Sequence, residues 1–338
     1  MKRFLILSLC LALLAAGFVF FRPEEEVDIP EEAGEVPVLQ AQPLSVEEPS
    51  FDGTLVLQVR TAEGVEEMLL KEYLVGVLLA EMPTDFPMEA LKAQAIASRT
   101  FALKQAGGKK HPNAHVCTDP SCCQGWGNKA SFDATAVSRA AQAVEETDGL
   151  VLTYEGKLID ATFFSCSGGQ TEAAVAVWGG DVPYLQSVES PGEEEAPRFT
   201  ETVSMEAEAF AQTLLAAYPD ANLSGAPESW FGAVSYTQGG GIDRIFIGGV
   251  AISGVSLRSL FRLRSTDIFI EAAQTQIFLT TYGFGHRVGL SQYGAKAMAE
   301  EGSSFEKILL HYYQSTEIKK LLLRQEEQLC FWNYTAAV

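Results

Sequence analysis

One acidic side chain closes an otherwise apolar run. Leu74, Val75, Val77, Leu78, Leu79 and Ala80 precede Glu81, and Met82 and Pro83 follow it. A carboxyl group in apolar surroundings resists ionisation, and a raised pKa lets it donate a proton near neutral pH. The competing reading is an acid at a helix end, facing water. A second group offers metal chemistry. His111, Cys117 and Cys123 are spaced six and six, with His115 and Cys122 as alternative ligands. Zinc takes Cys and His in tetrahedral geometry, and structural sites close with four protein ligands. A Cys117–Cys123 disulfide is the rival, while a vicinal Cys122–Cys123 bond would be strained. No acid stands close by as a general base except the loop residue Asp119, so the zinc expected here is structural.

Two glycine-framed stretches offer hydrogen bonds. In SCSGGQTE (165–172), Ser167, Gly168 and Thr171 present hydroxyls and turn amides suited to polar ligands such as sugars. The GxSxG elbow of a serine nucleophile is absent, and a plain turn is the rival reading. In GFGHRVGLSQYGA (283–295), His286 is followed by Ser291, Gln292 and Tyr293, among glycines that permit close backbone approach to a ligand.

These groups need a scaffold. Asp85 is the expected N-cap of a long helix, with Pro87 near its first position and no breaker from Met88 to about Lys104. Ala90, Ala93 and Ala97 form one small-residue stripe, flanked by Leu91, Ala95, Ser98 and Ala102, which predicts a buried central helix. Its polar members Lys92, Gln94 and Arg99 then need partners. Arg99 is either half of a structural ion pair or a cation lining a groove.

Upstream, FDGTLVLQVRTAEG alternates as a strand, and VEEMLLKEYLVGVLLAE reads as a short helix. Ala134 to Glu146 is a further helix, followed by two strands around the turn Tyr154-Glu155-Gly156-Lys157. Met205 to Tyr218 is a helix within a glycine-rich stretch of short strands, a strand pair follows Leu257, and Ser304 to Tyr313 is the last helix. The class is α+β: an Ala-rich central helix packed on a mixed, mostly antiparallel sheet, with a smaller inserted lobe. Residues 51–200 and 257–325 form the core, 201–256 the lobe and 326–338 a tail.

The 338 residues are 47% hydrophobic and carry a net charge of −20, which excludes a sequence-independent nucleic-acid binder. Much of the acid is local, in residues 23–35, 46–48 and 192–197, which read as linker or loop. Lys2 and Arg3 precede an uncharged run from Phe4 to Phe21, so residues 1–22 read as a membrane anchor with the rest outside. A cleaved signal peptide is the alternative. Residues 23–50 read as a flexible tether. Three of the six cysteines crowd into residues 117–123, unlike a disulfide framework.

Together, the stretch 73–101, VCTDPSCCQGW, SCSGGQTE with VWGGDVPYL, FRLRST and GHRVGLSQYGAKAMAEEG resemble the stage II sporulation protein D family, in this order, over roughly residues 50–320. The resemblance implies a lytic transglycosylase acting on peptidoglycan during engulfment of the forespore. Glu81, in the family's EMP, would be its single catalytic acid. Arg99, in the family's RT pair, would line the groove with Lys92, Gln94 and the polar loop residues. It also implies zinc on His111, Cys117 and Cys123. Its substrate would be glycan strands stripped of stem peptides by an amidase, stage II sporulation protein P, held with its membrane partner, stage II sporulation protein M. The chain would work at the cell membrane, in the space between mother cell and forespore. An amidase enhancer that binds the wall without cleaving it is the alternative. Two positions depart from the family pattern: Arg287 replaces the second glycine of GHGVG, and Cys122 stands where many members have histidine.

Overall fold

A computed structural model of the chain describes residues 49–322, apart from Lys109 and Arg198. The expected anchor, most of the tether and the tail lie outside these residues. The architecture is α+β, with several small sheets in place of the single sheet expected. Most strand pairs are antiparallel. Two are parallel: Val56–Arg60 with Val116–Cys117, and Phe163–Phe164 with Leu290–Ser291.

The central helix runs Met88–Gly108, and residues on every face of it are buried. Alanines at 90, 93, 95, 97, 102 and 106 let neighbours approach closely, so helices surround it more than strands do. It packs against Leu70–Glu81, Ala134–Glu146, Gln292–Glu300 and Phe305–Tyr312, and against the strand Leu150–Tyr154. The start differs from the sequence expectation: the carbonyl of Pro87, not the side chain of Asp85, accepts from the backbone of Ala90 and Leu91. Asp133 caps Ala134–Glu146 as a helix N-terminus requires, its Oδ1 accepting from Ala136 N at 2.9 Å.

The expected helix from Val65 divides in two. Val65–Leu69 is a strand paired with Val56–Arg60, and only Leu70–Glu81 is helical. The half-exposed VEEML satisfies its amides across a hairpin, while the continuous apolar run after it is long enough to be a buried helix.

A second hydrophobic cluster gathers Phe210, Leu214, Trp230, Ile242, Ile245, Ile247, Leu257, Phe261, Ile268, Ile277 and Leu279. The lobe therefore continues past residue 256. Its boundary strand Thr200–Glu206 pairs in full register with Gln276–Tyr282, which closes the lobe there. The residues after Leu257 hold the end of a helix, Gly254–Phe261, before the expected strand pair. Phe261 stacks on Phe210 with centroids 4.6 Å apart, which fixes this helix on the lobe's other helix, Ala207–Ala217.

Candidate active site

Glu81 is the last residue of the helix Leu70–Glu81, whose inner face is buried by Leu70, Tyr73, Leu74, Val77 and Leu78. Met82 turns extended and ends the helix, leaving the Glu81 side chain on the wall of a cleft of about 470 Å³. His286, Gln292, Ser165, Thr162 and Cys123 share this cleft with a largely aromatic floor of Phe101, Phe163, Phe164 and Phe284. Glu81 is the one acidic group among these lining residues. Burial raises its pKa above the ordinary carboxylate value, against the pull of a hydrogen bond from the backbone N–H of Gly125.

That N–H reaches the carboxylate because glycines let two segments touch. A Cβ on Gly125 would lie 2.9 Å from Glu81 Oε1, and one on Gly76 would lie 2.0 Å from Trp126 Nε1. Gly127 N also donates to Gly76 O at 2.9 Å. The loop after the cysteines is thereby laid along the helix that ends in Glu81.

The same loop begins at a ligand cluster. The ligand atoms of His111, Cys117, Cys122 and Cys123 all lie within 4.8 Å of one another, with His111 Nε2 3.2 Å from Cys123 Sγ and 3.9 Å from Cys122 Sγ. Ligand atoms of a tetrahedral zinc site with Zn–S near 2.3 Å are roughly 3.8 Å apart, so a one-histidine, three-cysteine set fits that metal. Cys122 thus joins the three ligands expected from spacing. His115 does not: its Nδ1 accepts from Gln58 N at 2.9 Å, beside the strand Val56–Arg60. The four described cysteines are free of disulfides, which removes the Cys117–Cys123 bridge. Asp119 accepts from Ser121 N and Oγ and only shapes the turn.

Four of the expected site residues line the cleft: Glu81, His286, Gln292 and the metal-ligand candidate Cys123. The others take structural places among the described residues. Arg99 is fully buried, and its Nε lies 2.9 Å from both carboxylate oxygens of Asp52; its other nitrogens donate to the carbonyls of Leu150 and Val144. The ion-pair reading of Arg99 therefore holds over the groove reading. Lys92 pairs with Glu89 and Glu146 at 3.0 and 2.7 Å, away from the cleft. Gln94 is buried behind Gln292, accepting from its Nε2 at 3.5 Å and donating to Ser98.

Ser167, Gly168, Thr171 and Ser291 are held by backbone and by an acid that the sequence places in a linker-like run. Glu193 is buried and accepts from the amides of Ser167, Gly168 and Gly169 and from the hydroxyls of Ser167, Ser190 and Ser291. Ser291 also caps the helix Gln292–Glu300, which aims Gln292 at the cleft. Thr171 exchanges hydrogen bonds with the backbone of Val188. Tyr293 packs edge-on against Phe86 at 5.1 Å, beside the cleft rather than in its lining. Thr162, Phe163 and Phe164 carry no clear signal in the sequence, because ATFF (161–164) reads as ordinary core, whereas Ser165, Phe101 and Phe284 fall within the stretches already singled out without being marked as cleft residues.

His286 is half-buried, and desolvation, followed by the nearby charge of Arg258, lowers its pKa to about 4. Its Nδ1 accepts from Val288 N at 3.1 Å, which fixes the neutral tautomer. At neutral pH the cleft therefore holds one carboxyl group with a raised pKa and an uncharged imidazole.

Comparison with known proteins extends this geometry. A family model described as stage II sporulation protein, SpoIID, matches residues 58–154. Stage II sporulation protein D of Bacillus amyloliquefaciens is 36% identical over 304 residues, covering 86% of this chain and 83% of that protein. Its counterpart in Bacillus subtilis is 37% identical over 273 residues, covering 77% and 78%. An amidase enhancer of Bacillus subtilis is 28% identical over 296 residues, covering 72% of this chain and 40% of the enhancer.

Proposed function

The chain belongs to the stage II sporulation protein D family, and on that premise we propose that it is a lytic transglycosylase of peptidoglycan with Glu81 as its acid and base. The observation that carries this reading is a single carboxyl group with a raised pKa in a cleft with no second acid among its lining residues. Hydrolytic glycosidases use two carboxyl groups, one of them to activate water or to attack the sugar. A lytic transglycosylase needs only one, because the substrate supplies its own nucleophile. Protonated Glu81 gives its proton to the glycosidic oxygen as the bond to the N-acetylmuramic acid anomeric carbon breaks. The 6-hydroxyl of that sugar then closes on the same carbon and returns a proton to Glu81, leaving a 1,6-anhydro end. General acid–base assistance of this kind is worth about 10²–10⁴-fold, and the remainder comes from holding the ring in place.

Gln292 and Ser165 offer polar contacts to the sugar, and Gly125 N–H steadies the carboxylate between the two proton transfers. His111, Cys117, Cys122 and Cys123 would hold the zinc, which supplies a structural cross-link when bound. The loop so fastened carries Gly125 to Glu81. The reading extends to a setting outside the cell membrane, on an anchor formed by residues 1–22. The substrate would be glycan stripped of stem peptides by stage II sporulation protein P, with stage II sporulation protein M as that amidase's membrane partner, and no nucleic acid takes part. No helix among the described residues is long and apolar enough to cross a membrane.

Mass spectrometry of amidase-treated glycan after incubation with the protein tests the reading. The wild type should release 1,6-anhydro products, and Glu81→Gln should release none while keeping its fold. Glycan binding and amidase stimulation without any anhydro product would favour the second reading, drawn from the amidase enhancer relative.

A further inference from the structure

The cleft does not end at His286. The imidazole packs between two rings, Phe164 at 5.8 Å and Trp178 at 5.3 Å. Exposure rises along this row, from the buried Phe164 to Trp178, which leaves 51% of its surface in water. An indole that open, joined ring to ring with a cleft wall, forfeits a large burial gain that a core position would have given it.

The local chain holds the indole out. Trp178 ends the short helix Ala174–Trp178, anchored by the buried Ala174 and by Val177 against the core, while Val175 on the outer side is 49% exposed. The next residue, Gly179, takes a left-handed φ of 79° and stops the helix at the indole. Gly179 and Gly180 carry no side chains, and nothing lies within 4 Å of where their Cβ atoms would be. The turn beside the ring is therefore open to a bulky ligand.

We infer that Trp178, continued inward by His286, is a stacking subsite for a pyranose ring of the glycan next to the one cleaved at Glu81. A glucose-configured N-acetylhexosamine has its substituents equatorial, so each ring face presents axial C–H groups and is apolar. Such a face covers an indole and recovers the burial that the free protein gives up, while the ring's hydroxyl and acetamido groups stay at its edge in water. The uncharged imidazole beside Trp178 keeps the ledge apolar. A neighbouring ring held there places the reacting sugar without touching the reacting atoms, so the subsite acts on binding.

This inference rests on the glycan reading of the cleft but is tested apart from it. Binding of an N-acetylglucosamine oligomer and of denuded glycan to the full chain is measured calorimetrically for the wild type, Trp178→Ala and Trp178→Phe. Trp178→Ala should weaken binding about tenfold, with an unchanged melting temperature, and Trp178→Phe should keep most of the affinity. In turnover, Trp178→Ala should raise KM and leave kcat in place. Equal affinity of Trp178→Ala and the wild type, or a wild type that binds neither ligand, overturns the subsite. A wild type that binds both but yields no anhydro product overturns the reaction alone, and the binding comparison still decides the subsite.

Discussion

At the scale of single residues, the cleft separates two protonation behaviours. Burial raises the Glu81 pKa above its ordinary value of 4.5, while that of His286 falls to about 4. Turnover therefore loses its acid as pH rises through the raised Glu81 pKa, and no limb from an ordinary histidine near pH 6.5 is expected. A pH profile of kcat/KM whose alkaline bend persists in His286→Asn would agree, since the titration then belongs to Glu81; disappearance of the bend in that variant would contradict it. The raised pKa also has a sign in stability. Below the unfolded value both states hold the proton and nothing is lost. As pH rises through the folded value, the native state must carry a half-buried charge, and stability falls. Glu81→Gln should thus be more stable than the wild type at pH 7, and the gap should close below pH 4. Thermal melts at the two pH values check this. Glu81 was legible because a lone carboxyl group among apolar neighbours stands out in the chain itself. Glu193 was not, because an acid beside two more acids, between a glycine and an alanine, carries no sign that six donors will converge on it.

At the scale of elements, the central helix was readable from its alanine stripe, and the helix Ala134–Glu146 from its cap and apolar face. The partner of Arg99 was not readable, because Asp52 is 47 residues away and belongs to a four-residue helix, Phe51–Thr54. Asp148 accepts from the amides of Phe51 and Asp52, so this short helix is clamped from both sides. The pair fastens the first described segment to the central helix and leaves the groove to other groups. Removing one partner of a buried pair strands the other, at a cost of about 3–5 kcal/mol. Arg99→Ala and Asp52→Ala should each lose that much in urea denaturation, and the double variant should lose less than the sum. A loss of activity in Arg99→Ala at full stability would restore it to the groove. The metal loop makes the complementary case. Its ligand spacing was legible, but Gly125 was not, since its importance lies in contact with a helix 44 residues earlier. If these four ligands hold zinc as proposed, a chelator should lower the melting temperature and reduce turnover gradually, as the loop loosens from Glu81. Instant loss of turnover with an unchanged melting temperature would assign the metal to the chemistry instead.

At the scale of the molecule, the two hydrophobic clusters are joined through Arg287, the residue that departs from the family's glycine. It keeps a glycine's backbone, with φ at 66°, and sends a fully buried guanidinium toward the lobe. There it donates to Gly239 O and Gln170 O and faces Glu172 at 3.5 Å and Asp267 at 3.7 Å. Glu172 also accepts from Thr237 Oγ1 and Gly241 N. A Cβ at Gly239 or Gly241 would strike this carboxylate, at 2.7 and 2.3 Å, so the TQGGG turn is shaped around the pair. Sequence patterns cannot show such a joint, because its parts come from four separate stretches, at residues 170–172, 237–241, 267 and 287, that only the fold brings together. Two opposing effects decide what Arg287→Gly does. A left-handed non-glycine residue costs about 1–2 kcal/mol, which glycine would recover. Stranding Glu172 without its cation costs about 3–5 kcal/mol, which is larger. The variant should therefore be destabilised by about 2–3 kcal/mol, and adding Glu172→Gln should restore part of that by removing the uncompensated charge. Hydrogen exchange should show the loss first in the segment 237–241 and in the cleft wall around His286, where the lobe's hold on the core is released. If Arg287→Gly matches the wild type in urea and in exchange, the strain relief outweighs the pair, and the lobe is held to the core by its other contacts.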